Sequence, residues 1–137
     1  NDYLYTPQLA IAYEITDPPL IHNTKVNMGI KPRGLCWHWA EDMQKRLNQE
    51  NFKTLVVHRA IANADSRILI DHSTAILSQR GDDMFAGMVI DPWRKGGRLF
   101  WAPTRADTRY DWRPQAEVLA KRRARLAANG PVPIASR

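Results

Sequence analysis

Residues 33–39 read RGLCWHW, and they hold the only cysteine of a 137-residue chain. Cys36 follows a loop that contains Pro32 and Gly34, and a helical pattern begins at Leu35, so the cysteine lies in the first turn of the predicted helix. Unpaired amide N–H groups and the positive end of the helix dipole favour a thiolate there. A lone cysteine is commonly an inert buried side chain, but this position predicts a reactive one.

The helix itself is predicted from apolar side chains that recur every fourth residue. The stripe consists of Leu35, Trp39, Met43 and Leu47. Charged and amide side chains occupy the opposite side, and residues 48–51 hold no strong helix former, so the helix is expected to end there. Upstream, residues 6–15 predict a short helix stopped by prolines. Residues 20–34 predict an irregular polar loop.

Three or four short strands are predicted after this helix, at residues 52–62, 67–78, 84–91 and 98–102. Short turns between consecutive strands predict an antiparallel meander. Period-two alternation in the second strand places His72 on one face, together with the following residues: Ile68, Ile70, Thr74 and Ile76. We expect the cysteine-bearing helix to cover this face.

Residues 114–128 predict a final helix, with proline near its first turn and glycine after its end. Its second half carries a cluster of cations, Lys121, Arg122, Arg123 and Arg125. Two interpretations stay open, a solvated cationic face or a docking surface for an anionic envelope. The predicted architecture is α+β, a single domain over residues 1–128 in which the cysteine-bearing helix packs on the meander, followed by a loose tail at 129–137.

Three separated residues suit nucleophilic acyl chemistry if the fold brings them together. Cys36 would be the nucleophile, His72 the base, and Asp91, at the end of the next strand, the acid that orients the imidazole. The backbone N–H of Cys36 is the expected first oxyanion donor. Asn23 and Asn27 are the candidates for the second donor.

The remaining histidines and Trp93 also need an assignment. His22 is predicted to border the cleft, and Trp93, which follows Asp91-Pro92, to shield the histidine–carboxylate pair from water. His38 lies two residues past the cysteine, so on a helix it points away from the thiol, whereas His58 stays open as an alternative base. The spacing of cysteine and histidines matches no structural zinc template, so neither a metal nor another cofactor is expected.

Three short pieces of the chain carry a resemblance to a known family. They are GLCWHWA at 34–40, DHSTA at 71–75 and VIDPW at 89–93. The order of cysteine at a helix start, histidine in a strand and aspartate at the end of the next strand resembles the transglutaminase-like branch of the papain-like cysteine peptidase superfamily. The resemblance implies a papain-like core with Cys36, His72 and Asp91 as a triad. It also implies a thioester formed with a protein or cell-wall peptide and passed to water or an amine.

Composition narrows the function classes further. The chain is 44% hydrophobic and 25% charged, as in ordinary globular domains, and its net charge of +6 permits anionic partners. The pattern lacks the interleaved basic and aromatic residues of a nucleic-acid module, so no nucleic-acid partner is expected. A cysteine-dependent amide or peptide hydrolase is the first hypothesis, and an inactive envelope-binding scaffold is the alternative.

Localisation is predicted from the first residue of the chain and from its basic composition. The chain opens with Asn1 rather than Met, which is compatible with a preceding signal peptide or lipid-anchoring segment. A periplasmic or membrane-anchored position in a bacterial envelope is therefore the first prediction, and the cytoplasm is the alternative.

Overall fold

A computed structural model describes residues 2–66 and 68–129, and this part of the chain contains four α-helices and five β-strands. The helices are α1 (Asp2–Ala12), α2 (Pro19–Asn27), α3 (Cys36–Gln49) and α4 (Gln115–Ala128). The strands are β1 (Leu55–Ala62), β2 (His72–Gln79), β3 (Met88–Asp91), β4 (Phe100–Pro103) and β5 (Arg113–Pro114). The predicted α+β class is confirmed.

The five strands form one antiparallel sheet in the order β4-β3-β2-β1-β5. Strands β1 to β4 are the predicted meander, in which each strand pairs with its neighbour in the chain. Strand β5 was not predicted. It consists of two residues, Arg113 and Pro114, which pair with Ile61 and Ala60 of β1, and so short a segment carries no periodic signal.

Helix α3 packs on the sheet through the predicted stripe. Trp39, Met43 and Leu47 are all at most 1% exposed, and the latter two contact Ala75 of β2. Because alternate residues of a strand point to opposite faces, Ile76 lies on the other side, where it packs with Trp112.

The prediction that α3 covers the face of His72 is therefore wrong. The His72 ring packs with Tyr110 and Trp112, on the Ile76 side of the sheet. The small side chain of Ala75 lets the helix approach the opposite face closely, while aromatic side chains fill the His72 face. Cys36 consequently reaches the histidine from the end of α3, beside the first residue of β2.

The second strand also begins later than predicted. Residues 68–71 lie outside it, and β2 starts at His72. Ile68 and Ile70 are 92% and 68% exposed, so their alternation does not reflect a buried face. The backbone instead turns at Asn63, whose φ is 63°, and the Ser66 hydroxyl accepts the N–H groups of Ile68 and Leu69.

Residues 19–27 form a helix where an irregular loop was predicted. Pro19 occupies the first turn of α2, where its missing N–H costs no hydrogen bond. The helix lacks an apolar stripe, since Leu20 and Ile21 are more than half exposed while His22 is 1% exposed. The side chain that α2 buries is therefore a polar one, and a search for periodic apolar residues does not detect it.

The C-terminal helix agrees with its prediction, and Asn129 follows it. The predicted loose tail lies outside the described residues from position 130 onward. Helix α4 is tied to the loop between β1 and β2 by ion pairs of Arg122 with Asp71 and of Arg125 with Asp65. None of the described helices combines the length and the apolar character that crossing a membrane requires.

Candidate active site

Cys36 is the first residue of α3, and it lies half-buried beside the start of β2. Its Sγ lies 3.8 Å from the carbonyl oxygen of Asp71 and donates to it. Gly34, two residues earlier, adopts a φ of +123°, which other residues rarely adopt. That turn delivers the chain into the helix with the thiol at its N-terminal end.

His38 closes the first turn of α3 and is not placed to act as the base. Its Nδ1 accepts the backbone N–H groups of Gly34 and Leu35, each at 3.1 Å. Accepting two donors requires an unprotonated Nδ1. Burial, followed by the positive charge of Arg33, lowers the pKa of His38, which favours this neutral form.

His72 and Asp91 form a buried pair at the adjacent ends of β2 and β3. The His72 Nε2 lies 2.7 Å from the Asp91 Oδ2, and the two residues are 3% and 1% exposed. Burial alone lowers the pKa of His72. The hydrogen bonds with Asp91 and with Cys36 outweigh it and raise the pKa of His72 to about 9. At neutral pH the ring is therefore an imidazolium held by a carboxylate.

The second ring nitrogen of His72, Nδ1, points away from Asp91. It is buried and makes no hydrogen bond with another described residue. One imidazole nitrogen is thus held by Asp91, and the other has no partner in the described part of the chain. A cysteine–histidine–aspartate triad uses its two imidazole nitrogens separately, one toward the acid and one toward the thiol.

Three aromatic rings surround the imidazole of His72. Their centroids lie 4.5 Å away for Trp93, 4.7 Å for Tyr110 and 5.4 Å for Trp112. Trp93 was predicted to shield the pair, and it is 8% exposed and belongs to a core cluster with Tyr13 and Trp39, against which Cys36 packs. Sequence reasoning did not include Tyr110 and Trp112, because they arrive from a distant segment whose only signal is its aromatic content.

Arg94 and Asp107 extend the pair into a network that sequence reasoning also missed. The Arg94 Nε donates to the Asp91 Oδ2 at 3.3 Å, and its backbone N–H donates to the Oδ1 at 3.2 Å. Its guanidinium makes two further hydrogen bonds to Asp107, at 3.1 and 2.8 Å. The Trp112 Nε1 donates to the same Asp107 carboxylate at 2.9 Å. The orienting acid is therefore fixed from both sides.

Helix α2 brings two of the predicted cleft residues to the site. The Asn23 Oδ1 accepts the Nε1–H of Trp93 at 3.1 Å, which places this amide next to the ring that packs on His72. Asn27, the last residue of the same helix, is exposed. Of the two candidate oxyanion donors, Asn23 is the one tied to the site.

His22 supports the loop that leads to the cysteine. Its Nε2 donates to the Arg33 carbonyl at 2.6 Å, and its ring fills the space where a side chain on Gly34 would stand. Its Nδ1 is buried and has no partner in the described part of the chain. His22 was predicted to border the cleft. In the structure its buried ring packs behind the Arg33–Gly34 turn.

His58, the alternative base, lies elsewhere on the sheet. Its Nε2 is 2.7 Å from the Ser78 hydroxyl. It pairs with Ile76, while His72 pairs with Ala62 at the end of the same strand pair, a separation of about 13 Å along the strands at 3.3 Å per residue. Within residues 2–66 and 68–129 no group of three histidine, cysteine or acidic residues could hold a metal ion.

Comparisons of the chain with protein-family models, with curated proteins and with solved structures found no significant match.

Proposed function

We propose that this protein is a cysteine-dependent acyl-transfer enzyme, an amide or peptide hydrolase of the transglutaminase-like, papain-like type, with Cys36, His72 and Asp91 as its triad. The observation that carries the proposal is the buried His72–Asp91 pair, joined by a 2.7 Å hydrogen bond, whose second ring nitrogen has no partner among the described residues while Cys36 begins α3 beside the first residue of β2. A buried imidazolium beside a cysteine and behind a carboxylate has a direct chemical use, since it favours a thiolate by charge attraction.

The reaction would begin with attack of the Cys36 thiolate on the carbonyl carbon of an amide. A C–S bond forms, and the carbonyl oxygen becomes an oxyanion. The proton on the His72 Nδ1 moves to the departing nitrogen, the C–N bond breaks, and a thioester remains on Cys36. Neutral His72 then takes a proton from water, the resulting hydroxide attacks the thioester, and the thiolate leaves with the imidazolium restored.

The oxyanion would be stabilised by donors at the N-terminus of α3. The backbone N–H groups of Cys36 and Trp37 stand at the first two positions of the helix, where no intrahelical acceptor exists. The Asn23 side chain is the proposed second donor, because its Oδ1 is engaged by Trp93 and its amide nitrogen remains to donate. An amine in place of water would make the same thioester a transamidation intermediate.

The rate at which iodoacetamide alkylates Cys36 tests the proposal without a known substrate. Because His72 stays protonated up to a pH of about 9, we expect Cys36 to react at pH 6 to 7 at least about tenfold faster than a free thiol. His72→Ala should remove that advantage. His58→Ala, which deletes an imidazole outside the site, should leave it unchanged.

A second measurement separates a reactive thiol from an acyl-transfer catalyst. Incubation with an activated peptide ester should add the acyl mass to Cys36, and an added amine should shorten the lifetime of that adduct if transfer to amines is possible. Alkylation that follows an ordinary thiol and is unaffected by His72→Ala would contradict the proposal.

A further inference from the structure

The loop between β1 and β2 exposes three consecutive aliphatic side chains. Ile68, Leu69 and Ile70 are 92%, 59% and 68% exposed. The Ser66 hydroxyl accepts the N–H groups of the first two, at 3.2 and 2.8 Å, and the Asn63 side chain donates to the Ile70 carbonyl at 3.3 Å. Neighbouring side chains thus bind the N–H groups of Ile68 and Leu69 and the carbonyl of Ile70, while the three aliphatic side chains face solvent next to one another. Large contiguous apolar patches on a protein surface mark interaction sites.

The cations of α4 lie directly beside this loop. Arg125 pairs with Asp65 at 2.8 Å, and Arg122 pairs with Asp71, at the two ends of the aliphatic segment. The acids that flank the segment are therefore neutralised. Lys121 also pairs with Glu117, at 3.7 Å, so each of these three cations has a carboxylate partner. The Lys121, Arg122 and Arg125 side chains are nevertheless 62%, 42% and 62% exposed, which leaves part of each cation in contact with solvent.

We propose that Ile68, Leu69 and Ile70 together with the cationic residues Lys121, Arg122 and Arg125 form a docking surface for an anionic lipid membrane. We call it the loop–α4 surface. Aliphatic side chains partition into the acyl boundary of a bilayer, while neighbouring cations bind its phosphate groups. The net charge of +6 adds long-range attraction to such a surface.

The chemistry of the patch distinguishes a membrane from other polyanions. A nucleic acid binds through phosphate contacts and the stacking of bases on aromatic rings, so neither it nor an acidic polymer gains from exposed aliphatic side chains. An anionic bilayer interacts favourably with both the aliphatic side chains and the cations of the surface. Asp71 belongs to the same loop, and its carbonyl accepts the Cys36 thiol at 3.8 Å. Docking would therefore hold Cys36 close to the membrane, whether or not the thiol is catalytic.

The test is sedimentation of the protein with vesicles of equal parts phosphatidylglycerol and phosphatidylcholine. We expect binding that weakens with salt, and a loss of roughly tenfold or more in affinity for Ile68→Ser with Ile70→Ser and for Lys121→Gln with Arg125→Gln. The matched controls are Met28→Ser with Ile30→Ser, whose side chains are 67% and 60% exposed elsewhere, and Lys45→Gln with Lys53→Gln. Both controls should bind as the unmodified protein does.

A cysteine label reports the orientation independently. Cys36→Ser with Ile68→Cys leaves one thiol at the loop, and Cys36→Ser with Met28→Cys leaves one at an exposed position outside the loop–α4 surface. An environment-sensitive dye should shift to the blue on vesicle addition at position 68 and not at position 28. Near-ultraviolet circular dichroism checks that each variant keeps its fold.

Three outcomes would overturn the proposal. One is the absence of binding to these vesicles. Another is an equal loss of binding in the surface variants and in their controls, which would mean diffuse charge attraction. The third is a dimer in solution that Ile68→Ser with Ile70→Ser dissociates, because the aliphatic segment would then be occupied by a second copy of the chain.

Discussion

His72 combines two properties that rarely occur together, since it is 3% exposed and carries a pKa raised to about 9. Burial disfavours a charged imidazole. The carboxylate of Asp91 at 2.7 Å reverses that preference, while three neighbouring aromatic rings pack around the imidazole. The residue is thus held in the form that a thiolate partner requires.

Gly34 is the residue whose replacement should damage the site most directly. An added Cβ would stand 2.4 Å from the His22 Nε2, and a φ of +123° disfavours any side chain. Gly34→Ala should therefore lower the free energy of unfolding by about 2 kcal/mol or more, and it should slow alkylation of Cys36. Urea denaturation measures the first effect.

Gly29→Ala is the matched control for this change. Gly29 also has a positive φ, of +79°, but an added Cβ meets nothing within 4 Å. Its cost should be limited to backbone strain, near 1 kcal/mol. His22→Ala in the Gly34→Ala background should recover part of the loss, because it removes the colliding ring. Equal costs at the two glycines would refute the packing role of His22.

Sequence reasoning proposed a triad of Cys36, His72 and Asp91, but it did not predict the residues that surround them. Cys36, His72 and Asp91 have residue types and places in the element order that indicate a triad. Arg94 and Asp107 have neither, because an arginine after a strand and an aspartate in a loop look like ordinary surface residues. Their importance comes from mutual burial, which depends on the packing of the whole chain rather than on local pattern.

At the scale of elements, strong periodicity was predictive and weak periodicity was not. Helix α3 was found from its stripe because Trp39, Met43 and Leu47 face the sheet. Helix α2 was missed because it buries His22 rather than an apolar row, and β5 because two residues cannot show a period. The Ile68–Ile70 alternation predicted a strand, yet no neighbouring strand pairs with it, and the segment is a loop.

Arg94 connects the turn after β3 to the loop that carries Asp107. Its side chain is 6% exposed and lies between two carboxylates that are 1% and 2% exposed. Arg94→Met would leave Asp91 and Asp107 buried without their cation, and we expect a loss of about 3 to 5 kcal/mol in the free energy of unfolding. Arg122→Met, which breaks an exposed ion pair with Asp71, should cost less than about 1 kcal/mol.

A positional role for Arg94 predicts more than instability. Removing a fixed cation beside Asp91 strengthens the attraction between this carboxylate and the imidazolium, so the pKa of His72 should rise further. Titration of the His72 ring protons by nuclear magnetic resonance would show the midpoint moving to higher pH in Arg94→Met, whereas Arg94→Lys, which keeps a positive charge, should move it less. An unchanged His72 midpoint would contradict this electrostatic role and leave Arg94 with a structural role only.

At the scale of the molecule, the described chain gathers its reactive groups at one end of the sheet. The N-terminus of α3, the first residue of β2 and the last residue of β3 meet there, and α2 lies beside them. The loop that precedes His72 is held by α4 through Arg122 and Arg125. Elements far apart in the sequence thus meet near Cys36.

This convergence couples global stability to pH through His72. Its pKa rises from about 6.5 in an unfolded chain to about 9 in the folded protein. Because the folded form binds the proton more tightly, the stabilisation is fully present below pH 6.5 and is lost as the pH rises through 9. The free energy of unfolding should therefore fall by on the order of 3 kcal/mol across this window, relative to His72→Gln.

Urea denaturation of the two proteins at several pH values measures the difference, and His58→Gln should follow the unmodified protein. Parallel curves for the unmodified protein and His72→Gln would show that the His72–Asp91 pair does not hold its proton in the folded state.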